Sequence, residues 1–261
     1  MQSEPVSSPS VAVAIPAYNE AEGIGGFLTE IDRAVAGNVA SLRLIVVDDA
    51  STDNTREVVQ SIGNELRADL ELVVNSRNLG HGPTVLVGYR QAVQSGADLV
   101  LQVDGDGQFL GSDLRRLLVL LVDQAHAVSG VRRFRQDPWF RMVMTTALRT
   151  YVRQSFGVSA RDPNCPLRGY EAPLLAELLG DLPDSCLIPN LYLTVLAASR
   201  GLALVEVDVS HRVRRGGSSQ GTSWTEGRSP VPLSLVRFSA RALIESRRFR
   251  RGLQQLSQRP T

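Results

Sequence analysis

Lysine is absent from the 261-residue chain, whose 28 basic residues are all arginine. This absence excludes Schiff-base chemistry and a phosphate-binding P-loop, because both need a lysine. Arginine is then the only fixed side-chain cation for phosphate recognition, and it can bind a phosphate through two parallel hydrogen bonds. The two cysteines, Cys165 and Cys186, lack CxxC spacing, so neither a zinc cluster nor a disulfide framework is expected.

Long apolar runs and a large net charge are also missing. No apolar run approaches the ~20 residues that span a bilayer, and residues 1–10 lack the basic and apolar regions of a signal peptide. The net charge of +1 gives no general attraction to nucleic acid, so no nucleic-acid partner is expected. We interpret residues 1–10 as a disordered lead and predict a cytoplasmic protein.

The first half of the chain alternates short apolar segments with longer segments. The apolar segments are typical of strands buried on both faces of a parallel sheet, at residues 11–15, 42–47, 70–74 and 98–103. The segments between them are long enough for crossover helices, at residues 20–36, 53–66 and 80–95. This alternation predicts an α/β fold with an open, mostly parallel sheet and helices on both faces.

The second half has a less regular pattern. Helices are predicted over residues 112–122 and 139–157, and strands over 127–131, 202–209 and the end of the segment RDPNCPLRGYE. Residues 214–227 are typical of a mobile loop, and residues 233–251 of a basic amphipathic helix. We therefore predict one catalytic domain over residues 11–230, followed by a C-terminal helix and tail over residues 231–261.

Polar motifs follow the first, second and fourth predicted strands. They are PAYNE at residues 16–20, VDDAS at 47–51 and VDGDGQ at 103–108. Ligands bind beyond the carboxyl ends of the strands in such sheets, so these motifs should converge. Asp49 could accept hydrogen bonds from a base or a ribose, whereas Ser51 and Asp53 are better explained as helix caps. The GIGG at residues 23–26 falls inside a predicted helix, so it is not a dinucleotide-binding fingerprint.

Asp104 and Asp106 place two like charges at the end of a buried strand. Residues i and i+2 of an extended chain project to the same side, ~7 Å apart, so the two carboxylates repel unless a cation lies between them. Mg²⁺ favours one or two carboxylates plus phosphate oxygens, and Gln108 could add a carbonyl ligand. A polar turn is the alternative, since Asp and Gly are common turn residues. These residues alone leave both interpretations open.

Five motifs in this order resemble the family 2 glycosyltransferases of the GT-A fold: PAYNE, VVDDASTDNT, NLGHG, VDGDGQ and RRGGSS. Their spacing is most similar to that of the polyprenyl- and dolichyl-phosphate sugar transferases, over residues 11–220. The resemblance implies an inverting transfer from a UDP- or GDP-linked sugar to a polyprenyl phosphate, with Mg²⁺ or Mn²⁺ as the cofactor. Transfer to a soluble small molecule is the alternative.

The resemblance also implies roles for individual residues. The nucleotide-sugar site would comprise Pro16, Tyr18, Glu20, Asp49, Asn78, Gly80, Asp104, Arg215 and Ser218. The metal ligands would be Asp104, Asp106, Gln108 and His211. The acceptor would contact Arg132, Arg133 and Arg141. The catalytic residues would be Asp106, Asp162, Arg168 and Arg214.

One motif departs from the family pattern. The family's D-x-x-C-G-F-R is DPNCPLR here, with Pro166 in place of the glycine and Leu167 in place of the aromatic residue. Asp162 opens this motif and is the candidate general base for a hydroxyl acceptor. An acceptor phosphate is already anionic and would need no strong base.

Two further expectations concern the class of protein and its location in the cell. A nucleotide-binding protein without turnover is the alternative from another class. A nucleotidyltransferase is disfavoured, because PAYNE is not the Gly-rich basic loop that such enzymes carry. The arginines of residues 233–251 suit either an anionic membrane surface or a solvated helix packed on the domain. Peripheral attachment to the inner face of the cell membrane, or contact with a membrane partner, is therefore the alternative to a purely cytoplasmic location.

Overall fold

The computed structural model describes residues 8–123, 125–132, 139–202, 204–215 and 233–256. Within them, the strands are β1 (Ser10–Ala17), β2 (Ser41–Asp48), β3 (Asp69–Val74), β4 (Leu99–Gln102), β5 (Ala127–Arg132), β6 (Arg168–Glu171) and β7 (Val205–Val209). The α-helices are α1 (Ile24–Val35), α2 (Thr55–Ile62), α3 (His81–Gln94), α4 (Gly111–Val122), α5 (Trp139–Phe156), α6 (Ala172–Gly180), α7 (Pro189–Ser199) and α8 (Leu233–Leu256).

The strands form one sheet in the order β3-β2-β1-β4-β6-β5-β7. Strand β6 is antiparallel to both of its neighbours, β4 and β5, and the other pairs are parallel. The prediction of a mostly parallel sheet is therefore confirmed. The four strands predicted in the first half correspond to β1, β2, β3 and β4, and the three predicted crossover helices to α1, α2 and α3.

Two layers of helices cover the sheet. Val11, Val13 and Ile15 of β1 belong to one core, which they share with α1 and α4. Ala12, between them in sequence, belongs to a second core with α3, α6 and α7. Successive side chains of a strand point to opposite faces, so this division puts helices on both faces of the sheet, as predicted.

Several helices and strands begin or end at residues other than those predicted. Helix α1 begins at Ile24 and not at residue 20, because the carbonyl of Glu20 accepts from the amides of Gly23 and Ile24 in a turn, both at 3.0 Å. Ser10 belongs to β1 and bonds Asp98 at 2.8 Å, so the predicted lead is at least one residue too long. Helices α6 and α7 were not predicted, and residues 216–227 of the predicted loop lie outside the described residues.

Helix α8 packs on the domain. The ring of Phe249 stacks on Tyr192 with centroids 4.2 Å apart, and the amide of Leu187 donates to Glu245 at 3.0 Å. This packing confirms one of the two alternatives for the basic helix, whereas contact with a membrane stays a prediction. Among the described residues, no helix is both long enough and apolar enough to cross a bilayer.

Candidate active site

The polar motifs that follow β1, β2 and β4 meet at one edge of the sheet. The amide of Asn19 donates to the hydroxyl of Ser51 at 3.0 Å, and the amide of Glu20 donates to Thr55 at 2.8 Å. The amide of Gly105 donates to the carbonyl of Pro16 at 3.0 Å. The predicted convergence at the carboxyl ends of the strands is therefore confirmed.

Backbone conformation at this edge is unusual. Asn19 and Ala50 have φ angles of 54° and 58°, in the left-handed region that costs an ordinary residue roughly 1–2 kcal/mol. Asn tolerates this region better than Ala does, because its short side chain bonds locally. Here the Oδ1 of Asn19 accepts from the amide of Thr52 at 2.8 Å, which ties the first motif to the second.

Asp104 and Asp106 lie in a turn after β4, and each accepts a local hydrogen bond. The Oδ1 of Asp104 accepts from Gln102 Nε2 at 3.0 Å, and the Oδ1 of Asp106 accepts from the amide of Gln108 at 3.0 Å. Burial, and after it the charge of Asp104, raises the pKa of Asp106 to about 6. The two carboxylates thus lie in a turn, although the sequence presented a polar turn and a metal site as alternatives.

The strained carboxylate pair fits a divalent cation. A cation relieves the repulsion that raises the pKa of Asp106, and two carboxylates suit a hard ion that keeps other positions for phosphate oxygens and water. Within the part of the chain that the structure describes, no group of three or more His, Cys, Asp or Glu side chains could hold a metal. Two carboxylates would supply part of such an ion's coordination, and phosphate oxygens and water the rest.

The imidazole that faces Asp104 is that of His81, and sequence reasoning missed it. His81 Nε2 lies 3.9 Å from Asp104 Oδ1, at the first position of α3. His211, the predicted ligand, packs its ring edge-on against Phe109 with centroids 5.8 Å apart. The NLGHG motif held the signal, since its histidine follows a strand that ends at the same edge of the sheet.

A segment after β7, residues 211–215, lies across the Asp104–Gln108 turn. The amide of Arg212 donates to the carbonyl of Gln108 at 2.9 Å, and the amide of Arg215 donates to the carbonyl of Asp106 at 3.0 Å. The backbone of Gly23 makes room for this segment, because a Cβ there would lie 2.5 Å from the carbonyl oxygen of Arg215. The fold thus brings Arg214, which was predicted to be catalytic, and Arg215, which was predicted to bind the nucleotide sugar, to the aspartate turn.

Both arginines bind carboxylates of the domain. Arg214 forms an ion pair with Glu20, with Nε 3.2 Å from Oε2, and Arg215 forms one with Glu30. Burial raises the pKa of Glu20 to about 7, although the guanidinium of Arg214 acts in the opposite direction. Glu20, Arg214 and Asp106 therefore form one cluster of partly desolvated charges.

Asp49 shapes the loop that leads to His81. Its carboxylate accepts from the amides of Leu79 and Gly80, at 2.8 and 2.9 Å, and from Asn75 Nδ2 at 2.9 Å. Its predicted contact with a base stays a prediction, and the structure gives it a positioning role that the sequence did not reveal. Gly80 itself has a φ of +88° at the N-cap of α3.

The predicted helix caps are only partly correct. The N-cap of α2 is Asn54, and the hydroxyl of Ser51 accepts from Asn19 and caps no helix. Asp53 accepts from the amide of Thr55 at 3.0 Å, in the first turn of α2. Ser51 is therefore a link between two motifs.

The remaining predicted nucleotide-sugar residues differ in exposure. Pro16 is buried in β1, Tyr18 is half-buried and Asn78 is exposed. Ser218 lies outside the described residues, as does Arg133, and the side chain of Arg141 on α5 is not described.

Two residues predicted to act on substrate bind the protein itself. Arg132 Nε and Nη2 donate to the two carboxylate oxygens of Asp162, at 2.7 and 2.9 Å. The side chains are 15% and 4% exposed, so the pair is largely shielded from water. A carboxylate held in this way is poorly available as a general base, which disfavours the catalytic role predicted for Asp162.

Arg168, which was predicted to be catalytic, is held inside the protein. Its side chain is fully buried, and its guanidinium donates to Cys165 O and Pro163 O, both at 2.7 Å, and to Thr194 Oγ1 at 2.7 Å. These bonds pin the DPNCPLR segment to α7. Arg168 is therefore a structural residue that holds the loop carrying Asp162.

Residues 12–175 match the family model described as glycosyl transferase family 2. This match covers more than half of the chain, and the chain belongs to that family. Two curated relatives are undecaprenyl-phosphate 4-deoxy-4-formamido-L-arabinose transferases. The one from Proteus mirabilis (strain HI4320) is 28% identical over 210 residues, which are 80% of this chain and 62% of the relative. The one from Pectobacterium carotovorum subsp. carotovorum (strain PC1) is 29% identical over 211 residues, 81% of this chain and 62% of the relative.

The chain thus spans about three fifths of the length of the relatives it matches. Among solved structures, it is similar to glucosyl-3-phosphoglycerate synthase from Mycobacterium tuberculosis, in complex with Mn²⁺, UDP-glucose and phosphoglyceric acid. The TM-score is 0.64 at 18% identity, and the match covers 93% of this chain and 80% of the other. This likeness confirms the GT-A fold.

Proposed function

We propose that this chain transfers a sugar from a nucleotide-diphosphate sugar, linked to UDP or GDP, to the phosphate of a polyprenyl phosphate. The observation that carries the proposal is the Asp104–Asp106 pair beneath the arginine-bearing segment 211–215, at the ligand-binding edge of the sheet. The curated relatives are named as undecaprenyl-phosphate sugar transferases, which supports the choice of acceptor.

Asp104 and Asp106 would hold the cation, and either Mg²⁺ or Mn²⁺ suits their oxygen ligands. When bound, the ion would neutralise the charge that develops on the leaving diphosphate. The similar solved structure contains Mn²⁺ and UDP-glucose, which supports Mn²⁺ as the first ion to test.

The transfer is one displacement at the anomeric carbon. An oxygen of the acceptor phosphate attacks that carbon, and the bond to the diphosphate oxygen breaks with its electron pair leaving on the diphosphate. A single attack from the opposite face inverts the anomeric centre. Arg214 precedes Arg215, whose amide bonds the aspartate turn, and Arg214 would bind the leaving diphosphate once it exchanges Glu20 for this new anion.

The pairing of Asp162 with Arg132 supports a phosphate acceptor. A hydroxyl acceptor needs a base to remove its proton, whereas a phosphate oxygen is already charged. Both oxygens of Asp162, the candidate base, are bound by one guanidinium. Attack by an anionic phosphate oxygen needs no base, so it does not depend on this carboxylate.

A mainly apolar groove supports an isoprenoid acceptor. It has a volume of about 570 Å³ between α8 and the segment joining α6 to α7, and its lining is mainly apolar, including Leu187, Leu196 and Phe249. Leu187 also abuts the start of α3, because a Cβ on Gly82 would lie 2.5 Å from its carbonyl oxygen. His81, which faces Asp104, precedes Gly82, so the N-terminal turn of α3 contacts a segment that lines the groove.

Helix α8 supports peripheral association with a membrane. Its described arginines are exposed, namely Arg237, Arg241, Arg247, Arg248, Arg250 and Arg251. Ile244 and Leu243 are also 52% and 39% exposed. Arginines near an anionic surface each contribute about 1 kcal/mol, an attraction that salt screens. Sedimentation with anionic vesicles at low salt, and release at high salt, would be the expected result. Absence of sedimentation at low salt would refute this part of the proposal.

The test of the proposed reaction is a screen of UDP- and GDP-sugars with a polyprenyl phosphate and Mn²⁺, read by mass spectrometry of the lipid. The expected product is the lipid phosphate heavier by one sugar residue. Asp106→Asn should abolish it, whereas Asp184→Asn, at a side chain 90% exposed, should not. Transfer to phosphoglycerate but not to the lipid would overturn the acceptor and keep the reaction. Failure of transfer to either would favour a binding protein without turnover.

A further inference from the structure

A chain of hydrogen bonds runs through the core to Asp104. Gln102, the last residue of β4, is fully buried, and its Nε2 donates to Asp104 Oδ1 at 3.0 Å. Its Oε1 accepts from Asn190 Nδ2, on α7, at 3.0 Å. The Oδ1 of Asn190 in turn accepts from the hydroxyl of Tyr89, on α3, at 2.8 Å. Three elements thereby reach one carboxylate.

The bonds have a single direction. Each donor in the chain points toward Asp104, from the hydroxyl of Tyr89 through the two amides. Turning over Gln102 would set like atoms against each other at both of its bonds, and turning over Asn190 would do so at its bond to Gln102, so the chain fixes the orientation of both amides. Because Tyr89 begins the chain, it must keep its proton, and burial raises its pKa well above the ordinary value.

Polar groups at these positions need an explanation. Tyr89 packs among the apolar residues of the second core, and Asn190 is 3% exposed on α7, which is buried along its first nine residues. Burying an amide or a hydroxyl costs free energy unless it is hydrogen-bonded, and apolar side chains would fill the space without that risk. The chain of bonds ends at Asp104, whose side chain is 24% exposed at the candidate site. A role at Asp104 would therefore account for these buried polar groups.

We propose that Gln102, Asn190 and Tyr89 are positioning residues that hold the carboxylate of Asp104 in the orientation in which it binds the cation. The inference rests on the proposed function, because it assigns the metal to Asp104. The bond from Gln102 is made to Oδ1 of Asp104, so it restricts the rotation of the carboxylate. Partners of metal ligands typically change metal affinity by about 10–100-fold when they are replaced.

The test is the dissociation constant of Mn²⁺, measured from the electron paramagnetic resonance signal of the free ion. Gln102→Met removes the donor at similar length, and a 10–100-fold weaker affinity is expected. Tyr89→Phe removes a hydroxyl that is separated from the carboxylate by three hydrogen bonds, and a smaller loss, of roughly 2–5-fold, is expected. Tyr151→Phe is the matched control, because it removes a hydroxyl bonded to Ser246 on α8 and should leave the affinity unchanged.

A double-mutant cycle separates positioning from loss of folding. In the Asp104→Asn background, Gln102→Met should weaken residual Mn²⁺ binding no further, because its target is gone. If Gln102→Met does not fold, as judged by circular dichroism, Tyr89→Phe decides the question.

Two results would contradict the inference, and they can be told apart. Unchanged Mn²⁺ affinity in folded Gln102→Met and in Tyr89→Phe, with normal binding by the unaltered protein, would overturn the positioning role alone. Absence of Mn²⁺ binding by the unaltered protein, both alone and with UDP or GDP, would overturn the metal assignment and the inference with it.

Discussion

Replacing Asp106 by Asn should stabilise the metal-free protein at pH 8 while it abolishes transfer. The pKa of this carboxyl is raised from 3.8 to about 6, first by burial and second by the charge of Asp104. The folded state therefore holds the proton more tightly than the unfolded chain does, and its stability falls as the pH rises through about 6. Above that pH, the folded protein contains two repelling carboxylates.

The size of the effect follows from the pKa. Moving a carboxyl pKa from 3.8 to about 6 corresponds to about 3 kcal/mol of lost stability at high pH. Asp106 is half-buried and not enclosed, so solvent screening reduces this figure, and we expect a gain of about 1–3 kcal/mol for Asp106→Asn at pH 8. At pH 5 the native carboxyl keeps most of its proton while the unfolded chain has already lost it, and the gain should fall to about half of its value at pH 8. Asn can still accept the hydrogen bond from the amide of Gln108.

The assay is urea denaturation in the presence of a chelator, at pH 5 and pH 8. The control is Asp184→Asn, because that carboxylate is 90% exposed in its ion pair with Arg90 and should change stability by less than about 0.5 kcal/mol. A variant that is no more stable than the unaltered protein at pH 8, or that gains equally at both pH values, would refute the account of the carboxylate pair.

Three further substitutions test the structural roles by urea unfolding. Arg168→Met should cost roughly 2–4 kcal/mol, because it leaves buried carbonyl and hydroxyl groups without their donor, and a cost below about 1 kcal/mol would refute the structural role of this arginine. Gly82→Ala should cost about 1–3 kcal/mol through the clash of its Cβ with the segment joining α6 to α7, whereas Gly180→Ala meets no atom within 4 Å and should be neutral. Equal effects at the two glycines would contradict the close approach. Ala50→Gly should stabilise by about 0.5–1 kcal/mol by relieving a φ of 58°, and a loss of stability would show that this strain is absent.

Hydrophobic pattern and turn residues were sufficient to predict the first half of the sheet. Strands β1 to β4 are short and rich in Val, Leu and Ile, and each is followed by polar residues that end it. Helices α6 and α7 were missed for a physical reason. Each has a proline at its first or second position, and α7 is buried along its first nine residues, so no amphipathic period marks it.

The rule that ligands bind beyond the carboxyl ends of parallel strands predicted where the site lies. It did not predict which side chains pair within the site. Arginine has a long, flexible stem, and the sequence does not tell whether its guanidinium turns toward substrate or toward the protein. Arg132 and Arg168 both turn inward, to Asp162 and to backbone carbonyls, although the family resemblance implied substrate contacts. Their partners come from distant parts of the fold or from a proline-broken turn.

Gln102 shows a signal that the sequence contained and that was not used. It is the one polar residue in the run LVLQV, and a polar residue in a buried strand is more informative than an exposed apolar one. The pattern alone indicates that Gln102 needs partners. Only the structure identifies them as Asn190 and Asp104.

The most direct test of the central claim is calorimetric binding of UDP and GDP with and without Mn²⁺. We expect at least one of the two nucleotides to bind at least about 10-fold more tightly with Mn²⁺ than with a chelator. Replacing a partner of a metal ligand already changes metal affinity by about 10-fold or more, so removing the ion itself should have at least this effect. Asp106→Asn should remove the dependence on Mn²⁺ while the variant stays folded. Equal affinity with and without the ion, or a dependence that survives in Asp106→Asn, would contradict the assignment of a metal-dependent nucleotide-sugar site to these aspartates.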